Sequence, residues 1–255
     1  MTASHTIALP PGYRVADVLA FHGRDPERVA EQVDADGLRK GVLLGGVPTL
    51  LDIRFGDGAA QCRVTFDGPV TPDVQARTRE ALLNVLGLRI DPTAFGAAVQ
   101  ADPWLGPVVA RQPGLRIVQS ATIFEALTWA IIGQQINLTF AIALRRTLIQ
   151  LAGRAHSSGM WCYPEALDVA RLDISELTGR KFSNAKAETI LRVARMVVDC
   201  SLVLERHAGV EDISGSASAE VSETLLAIKG IGPWTVNYVL LRGYGYPDCS
   251  LEGDV

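Results

Sequence analysis

Residues 228–238 read IKGIGPWTVNY, and two glycines one residue apart followed by a proline decide how the second half of the chain is organised. Upstream, AEVSETLLAI puts Val221, Leu225 and Ile228 on one helical face. Proline suits the first position of a helix, where its missing N–H has no intrahelical partner and its φ is preset. The spacing therefore predicts a helix ending at Ile228, a turn over KGIG, and a second helix from Pro233 through Tyr238 to Arg242 that stops at Gly243. Gly230 and Gly232 permit backbone conformations and close approaches that a β-carbon forbids. Amides around Ile231, Gly232 and Trp234 are expected to point outward beside the positive end of a helix dipole, which makes an anion site suited to a phosphate. On G-x-G alone an ordinary bend between two helices explains the pattern equally well. The longer string LLAIKGIGPWTVNYVLLRGYGYPDCSLEGD adds an acidic residue in a polar loop about twenty residues downstream.

Working outward, the region from about residue 93 reads as all-helical. DPWLGPVVARQPG is a proline-punctuated connector, and TIFEALTWAII follows with Phe124, Leu127 and Ile131 on one face. Gly133 ends that helix and Asn137 caps the next, LTFAIALRRTLIQLAG. Further helices are expected at YPEALDVARL and NAKAETILRVARMVVD. The first ninety or so residues differ. LLDIRFG alternates Leu51, Ile53 and Phe55 with Asp52 and Arg54, CRVTFDG alternates Cys62, Val64 and Phe66 with polar residues, and Gly56-Asp57-Gly58 joins them as a hairpin. DPERVAEQVDADG and TPDVQARTREALLNVLG have helix starts and stops around this sheet. The expected fold is a mixed α+β N-terminal domain with a small antiparallel sheet, residues 1–92, followed by an all-α domain, residues 93–255.

Composition narrows the chemistry. At 255 residues the chain can bury two cores. No apolar run reaches the ~20 residues that span a bilayer. The start MTASHTIALPPGYR lacks a basic and an apolar signal region, so a cytoplasmic protein with no membrane partner is expected. Cys62, Cys162, Cys200 and Cys249 are scattered without a C-x-x-C pair and read as buried free thiols; His5, His22, His156 and His207 stand alone. Phosphate-loop and G-x-S-x-G patterns are absent, which argues against nucleotide hydrolysis, a nucleotide cofactor and serine esterase chemistry. Net charge is −4, but only residues 111–206 are basic (+4), against −3 before and −5 after. A nucleic-acid partner would therefore rely on backbone amides and helix ends at the acidic C-terminal end.

With the AIIGQQIN segment and PGLRI upstream of it, the IKGIGPWTVNY hairpin and the loop ending in Asp254 resemble the helix-hairpin-helix DNA glycosylase superfamily, most closely its 3-methyladenine DNA glycosylase II branch. The resemblance covers nearly the whole chain. It implies that Asp254 is the catalytic carboxylate, stabilising an oxocarbenium-like sugar and orienting water, and that the partner is double-stranded DNA containing damaged bases. Lys229, Gly230, Ile231, Gly232 and Thr235 would grip a phosphate. Trp234 stands where relatives that also cut the backbone carry a Schiff-base lysine, so a monofunctional enzyme is implied. An indole also suits a cationic alkylated purine, with cation–π attraction of roughly 0.5 to 2 kcal/mol. Tyr238, one turn on, would line the same pocket, and core packing is an equal reading for it. Gln134 and Gln135 match the residues that wedge into the duplex as the nucleotide turns out, with Gln135 preferred. No cofactor is required, although a monovalent cation (Na or K) held by the carbonyls of Leu226, Ile228 and Ile231 is implied at the hairpin. A bacterial-type, nucleoid-associated monomer is expected. Relatives continue beyond the catalytic aspartate whereas this chain stops at Val255, so a longer natural product, or a chain that binds DNA and cleaves poorly, is expected. A non-catalytic DNA-binding module, a bifunctional glycosylase/lyase and a glycosylase for deaminated or mismatched bases are the competing readings.

Overall fold

The computed structural model describes residues 1–205 and 215–251. The chain runs β1 (Thr2–Ala8), α1 (Val15–His22), β2 (Glu31–Val33), β3 (Gly37–Leu44), β4 (Val47–Gly56), β5 (Ala59–Phe66), α2 (Pro72–Val85), α3 (Thr93–Val99) and α4 (Leu105–Ala110). It continues with α5 (Ile123–Gly133), α6 (Leu138–Ala152), the two-residue strands β6 (Arg154–Ala155) and β7 (Trp161–Cys162), α7 (Ala166–Ala170), α8 (Ile174–Thr178), α9 (Asn184–Val198), α10 (Gly215–Leu226) and α11 (Pro233–Val239). A π-helical turn, Leu240–Tyr244, closes the series.

The N-terminal sheet has strand order β1-β5-β4-β3-β2, with every neighbour antiparallel. Its centre is the hairpin read from the alternation. Asp57 and Gly58 take φ of 50° and 69°, the left-handed pair that a two-residue turn between twisted strands requires. Leu51, Ile53, Cys62 and Val64 face a core that α2 covers with Val74, Ala81, Leu82 and Val85. Thr71 caps α2 by accepting from the Val74 amide.

Several expectations need correction. Residues 25–37 are not a helix. The Asp25 carboxylate accepts from the Glu27 and Val29 amides, and β2 then pairs with β3 in a register that sets Glu31 against Lys40. An edge strand lets those two charges meet inside, as a helix there would not. The connector 102–114 holds a short helix, α4, and another, α3, precedes it; of the residues of both only Gly106 is buried. Strand structure also persists beyond residue 93: β7 leads into Tyr163, which trades backbone hydrogen bonds with Gly41 and Leu43 of β3. A side chain at Gly41 would stand 2.2 Å from the Trp161 carbonyl, so the junction needs glycine. All four cysteines are free thiols, but only Cys62 and Cys162 are buried, whereas Cys249 is half-buried and Cys200 is exposed.

The helical half is organised around α5, whose residues Ile123–Ile132 are all buried. Helices α6, α9 and α11 and the π-helical turn all pack on it. Asn137 caps α6 as expected, accepting from the Phe140 amide at 2.9 Å. The helix after Pro233 does not stop at Gly243. That glycine is a close-packing position, its missing β-carbon facing Ala126 at 3.1 Å, and the left-handed stop with φ 77° is Gly245.

Candidate nucleic-acid interface and base pocket

The turn between α10 and α11 divides its glycines into two roles. Gly230 has φ +97°, and a β-carbon there would lie 2.2 Å from Thr189 Oγ1. Gly232 has φ −110° as the residue preceding α11, and a β-carbon there would meet nothing within 4 Å. The first glycine is therefore a folding requirement, whereas the second keeps open the surface beside the start of α11. The Ile231 amide does not point outward, because it donates to Ile228 O at 3.0 Å and the Ile231 side chain is buried. Among the described residues, no acceptor meets the amides of Gly232, Trp234 and Thr235. Lys229 is exposed, and its carbonyl accepts from Arg192 at 2.8 Å.

Gln134 is not free to act as a wedge. Its side-chain nitrogen donates to Gly230 O at 3.0 Å and to the hydroxyl of buried Thr235 at 2.9 Å, which joins the α5–α6 turn to the hairpin. Thr235 is thereby an internal partner with no surface for a phosphate through its side chain. Gln135 is different: exposed, with φ +55°, it is held in a left-handed conformation that costs a non-glycine residue about 1–2 kcal/mol.

On α11, Trp234 and Tyr238 lie one turn apart with ring centroids separated by 5.3 Å. Trp234 is half-buried and Tyr238 is buried at 8% exposure, so the tyrosine packs in the core and lines the aromatic cluster at once. Burial raises its pKa above the ordinary phenol value, against the pull of Arg24 and Arg242 and a hydrogen bond from Trp129.

Three residues of this cluster were not singled out in the sequence. Trp129 comes from α5, Phe21 from α1, and Arg24 from the loop after it. The Arg24 guanidinium sits 4.2 Å above the Phe21 ring and 5.3 Å from Trp129, and Arg242 approaches the same Phe21 ring at 4.9 Å. Neither arginine meets a carboxylate among the described residues, and Arg242 Nε is buried without a partner. Nothing in "LTWAII" or "LAFHGR" marks these side chains, because their proximity arises only when the N-terminal domain docks on α5.

Behind Arg24 and Trp129, a narrow crevice also lined by Glu31, Lys40, Glu125 and Arg145 meets a buried charge cluster. Lys40, fully buried, bridges Glu31 at 2.5 Å and Glu125 at 2.8 Å, and Arg145 reaches the same two carboxylates at 3.0 and 2.7 Å. Burial alone would raise both acids, but the charges of Arg145 and Lys40 outweigh it and hold them below their ordinary range. His22 bonds Glu31 and the Val85 carbonyl, and burial pushes its pKa down.

The expected catalytic acid, Asp254, lies outside the described residues. The segment leading to it is tied to the hairpin helix, with Asn237 donating to Ser250 O at 2.6 Å and the Tyr246 amide to Leu240 O at 2.8 Å. Among the described residues no helix is long and apolar enough to cross a membrane, and no cluster of histidine, cysteine or acidic residues could hold a metal ion.

The same arrangement, a sheet-bearing domain followed by helices, is found in solved DNA glycosylases. Over 98% of its length the chain superposes with TM-score 0.74, at 21% identity, on a 3-methyladenine DNA glycosylase from Archaeoglobus fulgidus, covering 83% of that structure. It also matches an 8-oxoguanine glycosylase/lyase from Clostridium acetobutylicum solved with double-stranded DNA, with TM-score 0.65 and 13% identity, over 91% of this chain and 73% of that one. Residues 6–121 match the AlkA N-terminal domain family. In sequence, the chain is 28% identical over 255 residues to a DNA-3-methyladenine glycosylase of Bacillus subtilis, spanning 98% of this chain and 82% of that protein. The resemblance to the 3-methyladenine DNA glycosylases thus rests on sequence and fold together.

Proposed function

We propose that this chain is a monofunctional DNA glycosylase that turns a damaged nucleotide out of the duplex and hydrolyses the N-glycosidic bond of an alkylated purine. The observation that carries the reading is the tilted Trp234–Tyr238 aromatic pair directly behind a hairpin with three amides lacking internal acceptors among the described residues. The names borne by its relatives support it. Stacking on an indole favours a cationic, electron-poor base, whose charge also weakens the bond to be cut. Gln135 enters the gap in the duplex, the amides of Gly232, Trp234 and Thr235 hold a phosphate, and Asp254 stabilises the developing sugar cation. With tryptophan rather than lysine at 234, no Schiff base forms and an abasic site is left.

The cation site proposed at the hairpin is supported by carbonyls left with room to bind. Ile228 O accepts only the Ile231 amide, and among the described residues no donor reaches the carbonyls of Leu226 and Ile231. A monovalent cation held there would screen a DNA phosphate beside the hairpin.

A second substrate class, deaminated purines, is favoured by the two arginines around Phe21 that meet no carboxylate among the described residues. Guanidinium groups bind a purine O6 and oppose a cation. The spectrum of bases released from methylated and from hypoxanthine-containing duplex decides between the two classes. Released 3-methyladenine, lost in Asp254→Asn while DNA affinity is retained, supports the main reading. Base release undiminished in Asp254→Asn, or binding without release by the unaltered chain, refutes it.

A further inference from the structure

Three carbonyls at the end of α5 converge on one ammonium. Lys186 Nζ donates to Ile131 O at 3.2 Å, Ile132 O at 2.9 Å and Gln134 O at 2.5 Å, which uses all three of its N–H bonds. Lys186 lies in the first turn of α9, the end where a helix dipole disfavours a cation. It is also half-buried, and burial alone lowers its pKa, with no carboxylate contributing. A lysine kept there against its own dipole and against desolvation is accounted for by what it holds: the negative end of α5 and the peptide that leads into Gln135.

The same stripe of α9 goes on to the hairpin. Three residues along, Thr189 fills the space that a side chain at Gly230 would need, with its hydroxyl fixed on Ala185 O at 2.8 Å. Three residues further, Arg192 donates to Lys229 O. Positions i, i+3 and i+6 follow one side of a helix, so a single rigid element touches both the wedge turn and the hairpin. Gln134 closes the triangle, its backbone carbonyl on Lys186 and its side chain on Gly230 O and Thr235.

We propose that Lys186 and Gln134 are a positioning pair that fixes the exposed Gln135 relative to the hairpin amides, so that one face of α9 keeps the turning out of the nucleotide in register with the grip on its flanking phosphate. This rests on the glycosylase reading and deepens it. Neither side chain touches the reacting atoms. Their effect is on how accurately the wedge is placed, and displacement of about 1 Å in such a support can cost about 100-fold in rate.

The test uses Lys186→Met, Lys186→Arg and Gln134→Leu in the full chain, with two independent readouts. The first is amide hydrogen exchange of the protein alone at 134–137 and 228–232. The second is the fluorescence of 2-aminopurine beside a tetrahydrofuran abasic analogue in duplex DNA, together with single-turnover base release. In Lys186→Met, exchange should rise in both segments together. Duplex affinity should change by less than about threefold while flipping amplitude and release rate fall by about 10- to 100-fold, with part of the loss restored in Lys186→Arg. Gln134→Leu, which leaves the α5 carbonyls capped, should reproduce the kinetic loss without a fall in thermal stability as large as that of Lys186→Met. The proposal is overturned if exchange rises only at 134–137, or if stability falls while flipping and release stay within about twofold. Should the unaltered chain neither flip nor release a base although the two segments exchange together, the glycosylase reading fails and the mechanical link stands apart from it.

Discussion

Replacing Gly230 by alanine should damage the hairpin through two separable terms. Its φ of +97° lies where an L side chain is strained, at a cost of about 1–2 kcal/mol. The added β-carbon would also stand 2.2 Å from Thr189 Oγ1 and 3.2 Å from Thr189 Cβ. Thr189 is 4% exposed and its hydroxyl is held by Ala185 O, so it cannot swing away without giving up a hydrogen bond worth about 1 kcal/mol. Overpacking of this kind adds about 1–3 kcal/mol, for a total of about 2–5 kcal/mol. Urea unfolding of the single variants and the double variant Gly230→Ala/Thr189→Ala separates the terms. The double should recover the steric part and leave the φ strain, giving a coupling of about 1–3 kcal/mol. Gly232→Ala is the internal control, because its β-carbon meets nothing and its stability cost should stay below about 1 kcal/mol. A Gly230→Ala loss under about 0.5 kcal/mol, or a double variant no better than the single, would sink the account of why this turn needs its first glycine.

Other expectations follow from the site and from the buried charges. Trp234→Ala should reduce base release by roughly 3- to 30-fold through lost stacking, and Trp234→Phe should keep most of it, as measured by single-turnover release from methylated duplex. Gln135→Gly relieves a left-handed backbone and should leave thermal stability unchanged or slightly raised while flipping fluorescence falls; a destabilised protein would contradict the φ assignment. Lys40→Met leaves Glu31 and Glu125 sharing one fewer cation and should cost about 3–5 kcal/mol by urea unfolding. The same cluster sets an acid limit, read as melting temperature against pH. Groups with folded pKa values below their unfolded ones contribute stability that is lost as protons bind, so stability should start to fall below about pH 6.5 through His22 and steepen below about 4.5 through Glu31 and Glu125. A profile flat to pH 4 would show that these groups are not held as described.

What could be read from the sequence was whatever depends on local spacing. The β4–β5 turn, the caps at Thr71 and Asn137 and the proline opening α11 all satisfy local backbone demands, so residue type and interval announce them. Residues 25–37 misled because their helix signals are real, yet pairing Glu31 with Lys40 and Arg145 under the helical half favours a strand that only the assembled interior rewards. The hairpin glycines looked alike in the sequence. Only Thr189, forty-one residues before Gly230, shows that one is steric and the other is open. Gln134 looked as available as Gln135 for the same reason: its partners, Gly230 and Thr235, are about a hundred residues away. One signal was available and went unused. A lysine in the first turn of a helix works against the dipole, and Lys186 is such a residue.

The N-terminal domain, which the sequence leaves without a task beyond packing, has one that follows from where its charges go. Burying Lys40 in a sheet is expensive unless its partners are preorganised, and one of its two carboxylates, Glu125, belongs to α5, while Arg145 of α6 shares both carboxylates with it. The sheet therefore docks on α5 in one register, because any slip would strand a charge. That register brings Phe21 and Arg24, at the end of α1, against Trp129 and Arg242. An apolar interface would bind as strongly but tolerate sliding, which the proposed base pocket, with side chains from both domains, could not. The buried charges thus account for how side chains from the sheet domain come to stand beside an aromatic pair on the hairpin helix.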